Sequence, residues 1–414
     1  MGSMITLAIG RMEIDWGKNM FFRDHSALFQ VQDLKLIPYY YVDTTGEPII
    51  EMNEGFARKL SSVKMRLDLL GYDLVSIRKF YEDLIIDCEA DGCTLLFSFE
   101  EFYNVVSNID IEAIDAVDTK VDFDEFFIDE YAKRYTFDDP HSKYKLQIEN
   151  YKQNKQNWYP NIDLETFFGN LDPYITLRIL AENPNNDDVE LYWRFADVVE
   201  NGWTTREDIV KQLPSDQKIL IVTEGSTDTF VIRRAINTLY PDIADFFDFI
   251  DMEKHYPFTG VGNLSNFCLG LIRINILNKI LVIFDNDTAA AEKYQQLETI
   301  DKPNSLLITK LPDHKDFENF TTFGPQGETS ENINGKAVAI ECFLDHNSIP
   351  QDPAVRWTSF NKQLQQYQGE LIDKKRYIRA FKCCDLSGDS FNCDRLKYLI
   401  DYILEQWIHS QEVQ

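Results

Sequence analysis

Two apolar runs dominate the pattern of hydrophobic and polar positions in the second half of the chain. The segments KILIVTEGSTDTF (218–230) and KILVIFDNDTAAA (279–291) are rich in β-branched residues and stop abruptly at carboxylates. Runs of this length, followed by helix-forming sequence, are typical of parallel strands. The pattern predicts four strands, at 218–223, 246–251, 279–284 and 304–309, separated by helices at 227–240, 262–276 and 288–298.

Strands that alternate with helices predict βαβ units, in which helices cover both faces of a parallel sheet. The turn residues of LPSDQ, at 213–217, mark a domain boundary before the first of these strands. The sequence therefore predicts an α/β domain over residues 216–346. A helical pattern over about 354–409, which includes RLKYLIDYILEQW, predicts a C-terminal helical extension over 347–414.

The first half of the chain has a different pattern. Over residues 1–52, apolar and polar residues alternate in short stretches, which predicts a strand-rich segment. From residue 53 to 215, apolar residues recur at intervals of three and four, as in RKLSSVKMRLDLLGYDLVSIRKFYEDLI and DVELYWRFADVVENG. This spacing puts the apolar side chains on one helical face, so residues 53–215 are predicted to form a mostly α-helical domain.

Length and charge narrow the choice of function. A chain of 414 residues exceeds what one hydrophobic core normally supports. The 41 basic and 69 acidic residues give a net charge of −28, which disfavours generic attraction to nucleic acids. Any nucleic-acid binding must depend on local basic patches, bound cations or a basic partner. Since the sequence contains no apolar run of membrane-spanning length and no secretory signal, we expect a cytoplasmic protein without a membrane partner.

Carboxylates follow the two apolar runs and are therefore expected at one edge of the predicted sheet. Glu224 ends the first run, and Asp285 and Asp287 end the second. Asp228 comes four residues after Glu224, in the first turn of the next helix. Ligands of open α/β sheets bind at the carboxyl ends of strands, and clustered carboxylates are held ionised by Mg²⁺ or Mn²⁺. The alternative is structural, because Asp287 can cap the following helix and Asp228 can interact with its dipole.

The segments VTEG and IFDND, in this order on two strands, resemble a Toprim domain, the α/β metal domain of topoisomerases, primases and OLD-family nucleases. The form TEGSTD is similar to that of the OLD-like nucleases. This resemblance covers about residues 216–346. It implies that Lys310, after NSLLIT, and Glu341, on a helix within GKAVAIECFLD, complete a site for one or two metal ions.

The resemblance also implies a role for each residue. Glu224, Asp285 and Asp287 would hold the first metal ion, Asp228 and Glu341 would help to hold a second, and Lys310 would stabilise developing negative charge. A topoisomerase would also need a nucleophilic tyrosine in an accompanying domain, and we recognise no such domain in the sequence.

The whole chain, through IGRMEIDWGKN and TTFGPQGETSENINGKAVAIECFLD, resembles bacterial HEPN/Toprim-associated proteins of phage defence. An active HEPN ribonuclease carries an Arg and a His separated by four to six residues on a helix. Arg134 and His141 are farther apart and Pro140 lies between them. The helical domain is therefore HEPN-like at most, without this ribonuclease site.

Two basic stretches interleaved with aromatic residues are candidates for nucleic-acid contact, since bases stack on aromatic rings while Lys and Arg contact phosphates. They are HSKYKLQIENYKQNKQNWYP (141–160) and KKRYIRAFK (374–382). Both could equally be solvated helix faces. The candidate contact residues are Lys143, Lys145, Lys152, Lys155, Lys374, Lys375, Arg376 and Arg379.

These observations lead to the hypothesis of a divalent-metal-dependent nuclease that hydrolyses phosphodiester bonds in DNA or RNA, tRNA included, as an effector of anti-phage defence by abortive infection. The alternative is a non-catalytic Toprim-based module that recognises a phage or partner protein. The chain lacks a G-x-x-x-x-G-K-[ST] loop, so an ATPase that works with it would be a separate subunit. The sequence leaves open the substrate, the activating signal or activator, and whether the chain forms a homo-oligomer.

Overall fold

The computed structural model describes residues 2–42, 45–93, 97–114, 121–135, 145, 148–149, 162–250, 260–350, 352–388 and 390–412. It divides into two compact units, Met1–Leu213 and Pro214–Gln414. Within the described residues, no helix combines the length and the apolar character needed to cross a membrane.

The first unit is built on a six-stranded sheet in the order β3-β4-β6-β1-β2-β5. Neighbouring strands of this sheet are antiparallel, except for β2 and β5, which are parallel. The strands are β1 (Met4–Ile9), β2 (Met12–Lys18), β3 (Leu34–Val42), β4 (Pro48–Lys59), β5 (Val121–Asp122) and β6 (Glu190–Arg194).

Helices cover one face of this sheet, where apolar side chains such as Ile5 and Leu7 of β1 join the core together with Phe102 and Phe127 from the helices. The helices are α1 (Leu60–Leu69), α2 (Leu74–Ala90), α3 (Phe99–Val106), α4 (Phe123–Arg134), α5 (Ile162–Asn170), α6 (Pro173–Leu180), α7 (Ala196–Glu200) and α8 (Arg206–Ile209).

The prediction of a helix for DVELYWRFADVVENG was wrong in its first half. Residues Glu190–Arg194 form β6, which pairs with β1 on one side and β4 on the other. The reason is a two-residue alternation, because Leu191 and Trp193 are completely buried on the core face. Only the short helix α7 follows. Strand β4 likewise continues to Lys59, into the region that was predicted to be helical.

The second unit contains a four-stranded parallel sheet in the order β11-β9-β7-β8. Its strands are β7 (Ile219–Thr223), β8 (Phe247–Phe249), β9 (Ile280–Phe284) and β11 (Leu306–Lys310). The helices of this unit are α9 (Ser226–Leu239), α10 (Val261–Arg273), α11 (Thr288–Glu298), α12 (Lys374–Cys383) and α13 (Asp394–Glu412). The prediction of an α/β unit with a parallel sheet and flanking helices is confirmed.

Two further sheets, one of two strands and one of four, complete this unit. Strands β10 (Asn286–Asp287) and β14 (Ala337–Val338) pair with each other. The third sheet, in the order β13-β12-β15-β16, consists of β12 (Phe320–Gly324), β13 (Gly327–Glu331), β15 (Ala354–Asn361) and β16 (Gln366–Leu371).

The helical prediction for the region after residue 354 was wrong over β15 and β16. These strands form an antiparallel hairpin, in which Val355 and Leu371 pair and are both buried. Many of the other side chains of the hairpin are exposed, so the sequence shows only a weak apolar alternation. The helical part of this region begins later, with α12. Glu341 also differs from the prediction, because it lies on a single 3₁₀ turn, Ile340–Phe343, and not on an α-helix.

Candidate metal centre

The two central strands of the parallel sheet bring Glu224 and Asp285 to the same edge. Strands β7 and β9 are parallel neighbours whose last paired residues are Thr223 and Ile283. Glu224 and Asp285 each follow directly on these strands. The backbone N–H of Asp285 donates a hydrogen bond of 3.2 Å to Oε1 of Glu224. The carboxyl ends of two buried β-branched strands thus place both acids together, as expected for a parallel pair.

Asp228 reaches this edge from helix α9. The helix begins at Ser226, so Asp228 lies in its first turn. A hydrogen bond of 2.8 Å between the hydroxyls of Thr223 and Thr229 ties the start of the helix to the end of β7. Glu341, only 8% exposed, approaches from the 3₁₀ turn, and its charge raises the pKa of Asp228. Helix α9 and this turn therefore add two carboxylates to the pair held by the strands.

Burial and mutual repulsion make these carboxyl groups reluctant to ionise. Burial raises the pKa of Glu224 to about 7, and the charge of Asp287 adds to the effect. Burial also raises the pKa of Asp228 to about 7, assisted by Glu341 and Glu224. The pKa of Asp285 lies well above its usual range because the group is buried and faces the charges of Asp228 and Glu224. When these acids are ionised, the cluster therefore carries more negative than positive charge.

Lys374, the first residue of α12, is the lysine whose charge acts on this cluster. Its ammonium group lowers the pKa of Glu224, Asp228 and Asp285. Burial opposes the ionisation of Lys374, but Glu341 and Asp285 raise its pKa above the usual value. From the sequence, Lys374 was predicted only to contact nucleic acid. Its proximity to the carboxylates was not predicted, because the β15–β16 hairpin that leads to this residue has no clear signal in the sequence.

Lys310 lies at the end of β11, beside the segment that carries Asp285 and Asp287. Its Nζ donates a hydrogen bond of 3.2 Å to Oδ1 of Asn286. The Nδ2 of Asn286 in turn donates to Oδ1 of Asp313 at 2.6 Å. Asn286, only 1% exposed, therefore holds Lys310 next to the site. The catalytic role of Lys310 stays a prediction.

Asp287 acts as the N-cap of α11. Its Oδ1 accepts a hydrogen bond of 2.8 Å from the N–H of Ala290, and its Oδ2 accepts one of 2.6 Å from Nε2 of Gln368. Both carboxylate oxygens are thus engaged. The charge of Asp287 nevertheless raises the pKa of Glu224 and of Asp285, so it contributes to the same negative cluster.

The chemistry of these donors fits a hard divalent cation. Mg²⁺ and Mn²⁺ prefer carboxylate oxygens, and a cation would relieve the repulsion that raises the pKa values of the three acids Glu224, Asp228 and Asp285. Among the residues that the structure describes, no three His, Cys, Asp or Glu side chains already stand in an arrangement that would hold a metal ion. Binding of a cation would therefore require rotation of some of these side chains.

A groove of about 770 Å³ borders the cluster at Glu341 and Lys374. Its remaining basic lining residues are Arg356, Lys375, Arg379 and Lys382, and its remaining acidic ones are Glu370 and Asp373. Arg376 is exposed and pairs with Asp373 at 3.5 Å. Of the other predicted nucleic-acid contacts, Lys145 is exposed, whereas Lys143, Lys152 and Lys155 lie outside the described residues, as does His141. In a chain with a net charge of −28, this groove is a local basic patch.

Comparison with known families identifies the first half of the chain. Residues 1–217 match the family described as HEPN/Toprim N-terminal domain 1. This match covers just over half of the 414 residues, and the chain belongs to this family. HEPN and Toprim domains are typically nucleases, so membership links the chain to nuclease-related, defence-associated proteins. No curated protein and no solved structure matches the chain. The match ends just before β7, and the carboxylate cluster lies outside it.

Proposed function

We propose that the second unit is a Toprim-type nuclease of the OLD-like branch, which uses Mg²⁺ or Mn²⁺ to hydrolyse phosphodiester bonds in DNA or RNA. The observation that carries this proposal is the convergence of Glu224, Asp228, Asp285 and Glu341, with Lys374, beside the edge of a parallel sheet. Perturbed acids next to a groove are a common feature of catalytic sites.

In this account, the acids hold the metal ions. Glu224, Asp285 and Asp287 would bind the first ion, and Asp228 and Glu341 would help to bind a second. When bound, divalent ions supply an activated water and neutralise charge on the phosphate. The ammonium group of Lys374, between these acids and the groove, is suited to contact a phosphate oxygen as negative charge develops.

The groove supplies a path for the substrate backbone. Lys375, Arg379 and Lys382 follow Lys374 on α12 and line the same cavity. Phosphate contacts of this kind position a nucleic acid without selecting its sequence. This local patch offers a route for a polyanion to approach a chain that is acidic as a whole. Family membership supports a role in defence, and we propose that cleavage, of tRNA or of DNA, limits phage propagation by abortive infection.

The test is cleavage of three substrate classes. Plasmid DNA, single-stranded DNA and total tRNA are incubated with the protein in Mg²⁺ or Mn²⁺, beside EDTA and an Asp285→Ala, Asp287→Ala double variant. We expect cleavage of one class, lost in EDTA and in the double variant. An Asp301→Asn variant is the matched control, because Asp301 is an exposed acid in a loop of the same unit. Cleavage that persists in the double variant would overturn the proposal.

The capping role of Asp287 favours a second candidate function, a non-catalytic module that recognises a phage or partner protein. Both oxygens of this carboxylate already accept hydrogen bonds within the protein. The two functions differ in metal binding, which the nuclease requires and the recognition module does not. Metal binding without cleavage would point to a missing activator or a separate ATPase subunit.

A further inference from the structure

The first unit contains a buried arginine that forms no ion pair with any residue that the structure describes. Arg194, the last residue of β6, is 7% exposed. Its Nε donates a hydrogen bond of 2.7 Å to the carbonyl oxygen of Pro38. Its guanidinium carbon lies 5.0 Å and 5.2 Å from the ring centroids of Tyr40 and Tyr192. The buried Nη2, however, has no hydrogen-bond partner among the described residues.

Other buried arginines of the same unit are compensated. Arg58 pairs with Asp33 at 2.8 Å, and Arg178 pairs with Asp68 at 2.6 Å. Arg66 donates to two backbone carbonyl oxygens. Among the described residues, Arg194 makes one hydrogen bond and no ion pair, fewer polar contacts than Arg58, Arg66 or Arg178, and a poorly compensated buried cation destabilises a fold. Burial accordingly lowers the pKa of Arg194 below its usual value.

Arg194 lines a cavity of about 160 Å³ on the sheet face opposite to the helical core. Thr6, which pairs with Arg194 across β1 and β6, forms part of the lining, together with Tyr40 and the exposed turn residue Arg11. At about 30 Å³ per water molecule, this volume corresponds to about five waters. The cavity therefore has room for a phosphate group and joins the surface at Arg11.

We propose that this cavity binds the phosphate group of a nucleotide. The guanidinium groups of Arg194 and Arg11 supply donors that match phosphate oxygens, and the stacked tyrosine rings fix the orientation of Arg194. The cavity belongs to the first unit, whereas the carboxylate cluster belongs to the second. Nucleotide binding here does not depend on the proposed nuclease activity.

Two carboxylates in the lining define what else the ligand must carry. Asp197 accepts a hydrogen bond of 2.7 Å from the hydroxyl of Tyr41. Glu13 lies close enough for its charge to raise the pKa of Arg194 against the effect of burial. A bare oxyanion is repelled by these acids, whereas a nucleotide also offers hydroxyl and amino donors to them. We therefore expect a nucleoside monophosphate to bind more tightly than inorganic phosphate.

The experiment measures binding by calorimetry and melting temperature with the full chain in EDTA. The probes are inorganic phosphate, the four nucleoside monophosphates and the matching nucleosides. At least one monophosphate is expected to bind and to raise the melting temperature, while its nucleoside does not. The Asp285→Asn variant, altered only in the second unit, should bind equally well, which separates this site from the carboxylate cluster.

Arg194→Met should weaken binding at least tenfold. Without ligand, this variant should melt at the same or a higher temperature, because an uncompensated buried charge is removed. Arg58→Met is the matched control, which should lower the melting temperature but keep the affinity. Arg11→Ala, at an exposed turn, should weaken binding with the fold intact. The proposal would be overturned if no monophosphate binds, or if binding is undiminished in both Arg194→Met and Arg11→Ala. If inorganic phosphate binds as tightly as a monophosphate, the ligand is not specifically a nucleotide.

Discussion

The backbone N–H of Asp285 donates to the carboxylate of Glu224 across the ends of two parallel strands, at 3.2 Å. This bond fixes the orientation of the Glu224 side chain at the sheet edge, and it lowers the pKa of Glu224 in opposition to burial. Because the donor is a backbone N–H and the acceptor is a side-chain oxygen, the bond depends on the register of β7 and β9 and on the rotamer of Glu224. The sheet therefore determines where these two acids meet.

Replacement of Lys374 by Met should impair cleavage more than replacement of Lys310. The charge of Lys374 acts on three of the acids, whereas Lys310 is bonded to Asn286. We expect a loss of about 10²–10³ in the single-turnover rate for Lys374→Met, as for other groups that stabilise developing charge. Lys310→Met is the matched control. A larger loss for Lys310→Met would restore the role that the sequence first suggested for Lys310.

Substitutions of Asp287 should separate its capping role from metal binding. Asp287→Ala removes the cap of α11 and should lower the free energy of unfolding by about 1 kcal/mol, measured with urea. Asp287→Asn keeps a capping oxygen and should restore most of this stability, but it should still weaken the binding of Mn²⁺. If Asp287→Asn retains full metal affinity and cleavage, Asp287 is a structural residue only.

Charge reversal on the rim of the groove should weaken substrate binding. Lys375→Glu combined with Arg379→Glu should raise KM at least about tenfold and reduce the salt dependence of binding, because two phosphate contacts are lost. The control is Arg273→Glu with Lys362→Glu, two exposed positions outside the groove lining, which changes the net charge equally. If the two double variants raise KM equally, substrate binding depends on the net charge of the protein and not on this groove.

His346 should make a contribution to stability that is lost in acid. Burial, together with Arg395, lowers the pKa of His346 to about 3. Nη1 of Arg395 lies 2.9 Å from Nδ1 of His346, and since arginine only donates, Nδ1 is the acceptor of a neutral ring. In the unfolded chain, the imidazole of His346 takes up a proton below pH ~6.5. In the folded chain it stays neutral until the pH approaches 3. The contribution of His346 to stability is therefore full above pH ~6.5 and is lost as the pH decreases towards 3, by up to about 1.4 kcal/mol per pH unit.

The measurement is the urea unfolding of the wild type and of His346→Gln at pH 7 and at pH 5. Glutamine can accept the hydrogen bond from Arg395 without titrating in this range. The wild type should lose more stability than the variant between the two pH values. Parallel losses would show that His346 does not titrate as described.

The sequence predicted the strand edge that carries Glu224 and Asp285, because continuous β-branched runs that end in acids leave few alternatives to buried parallel strands. It also located Asp228 correctly in the first turn of a helix. It could not place Lys374, since that residue reaches the cluster through the hairpin β15–β16, whose side chains are largely exposed and give little apolar pattern. Strand β6 was missed because its alternation is only five residues long and is followed at once by a helix.

Calorimetric titration of the metal-free protein with Mn²⁺ asks whether the carboxylate cluster binds a divalent cation. We expect saturable binding of one or two ions to the wild type and to Asp301→Asn, and loss of this binding in Asp285→Asn. Equal affinity in all three proteins, or no binding to the wild type, would show that the cluster is not a metal site.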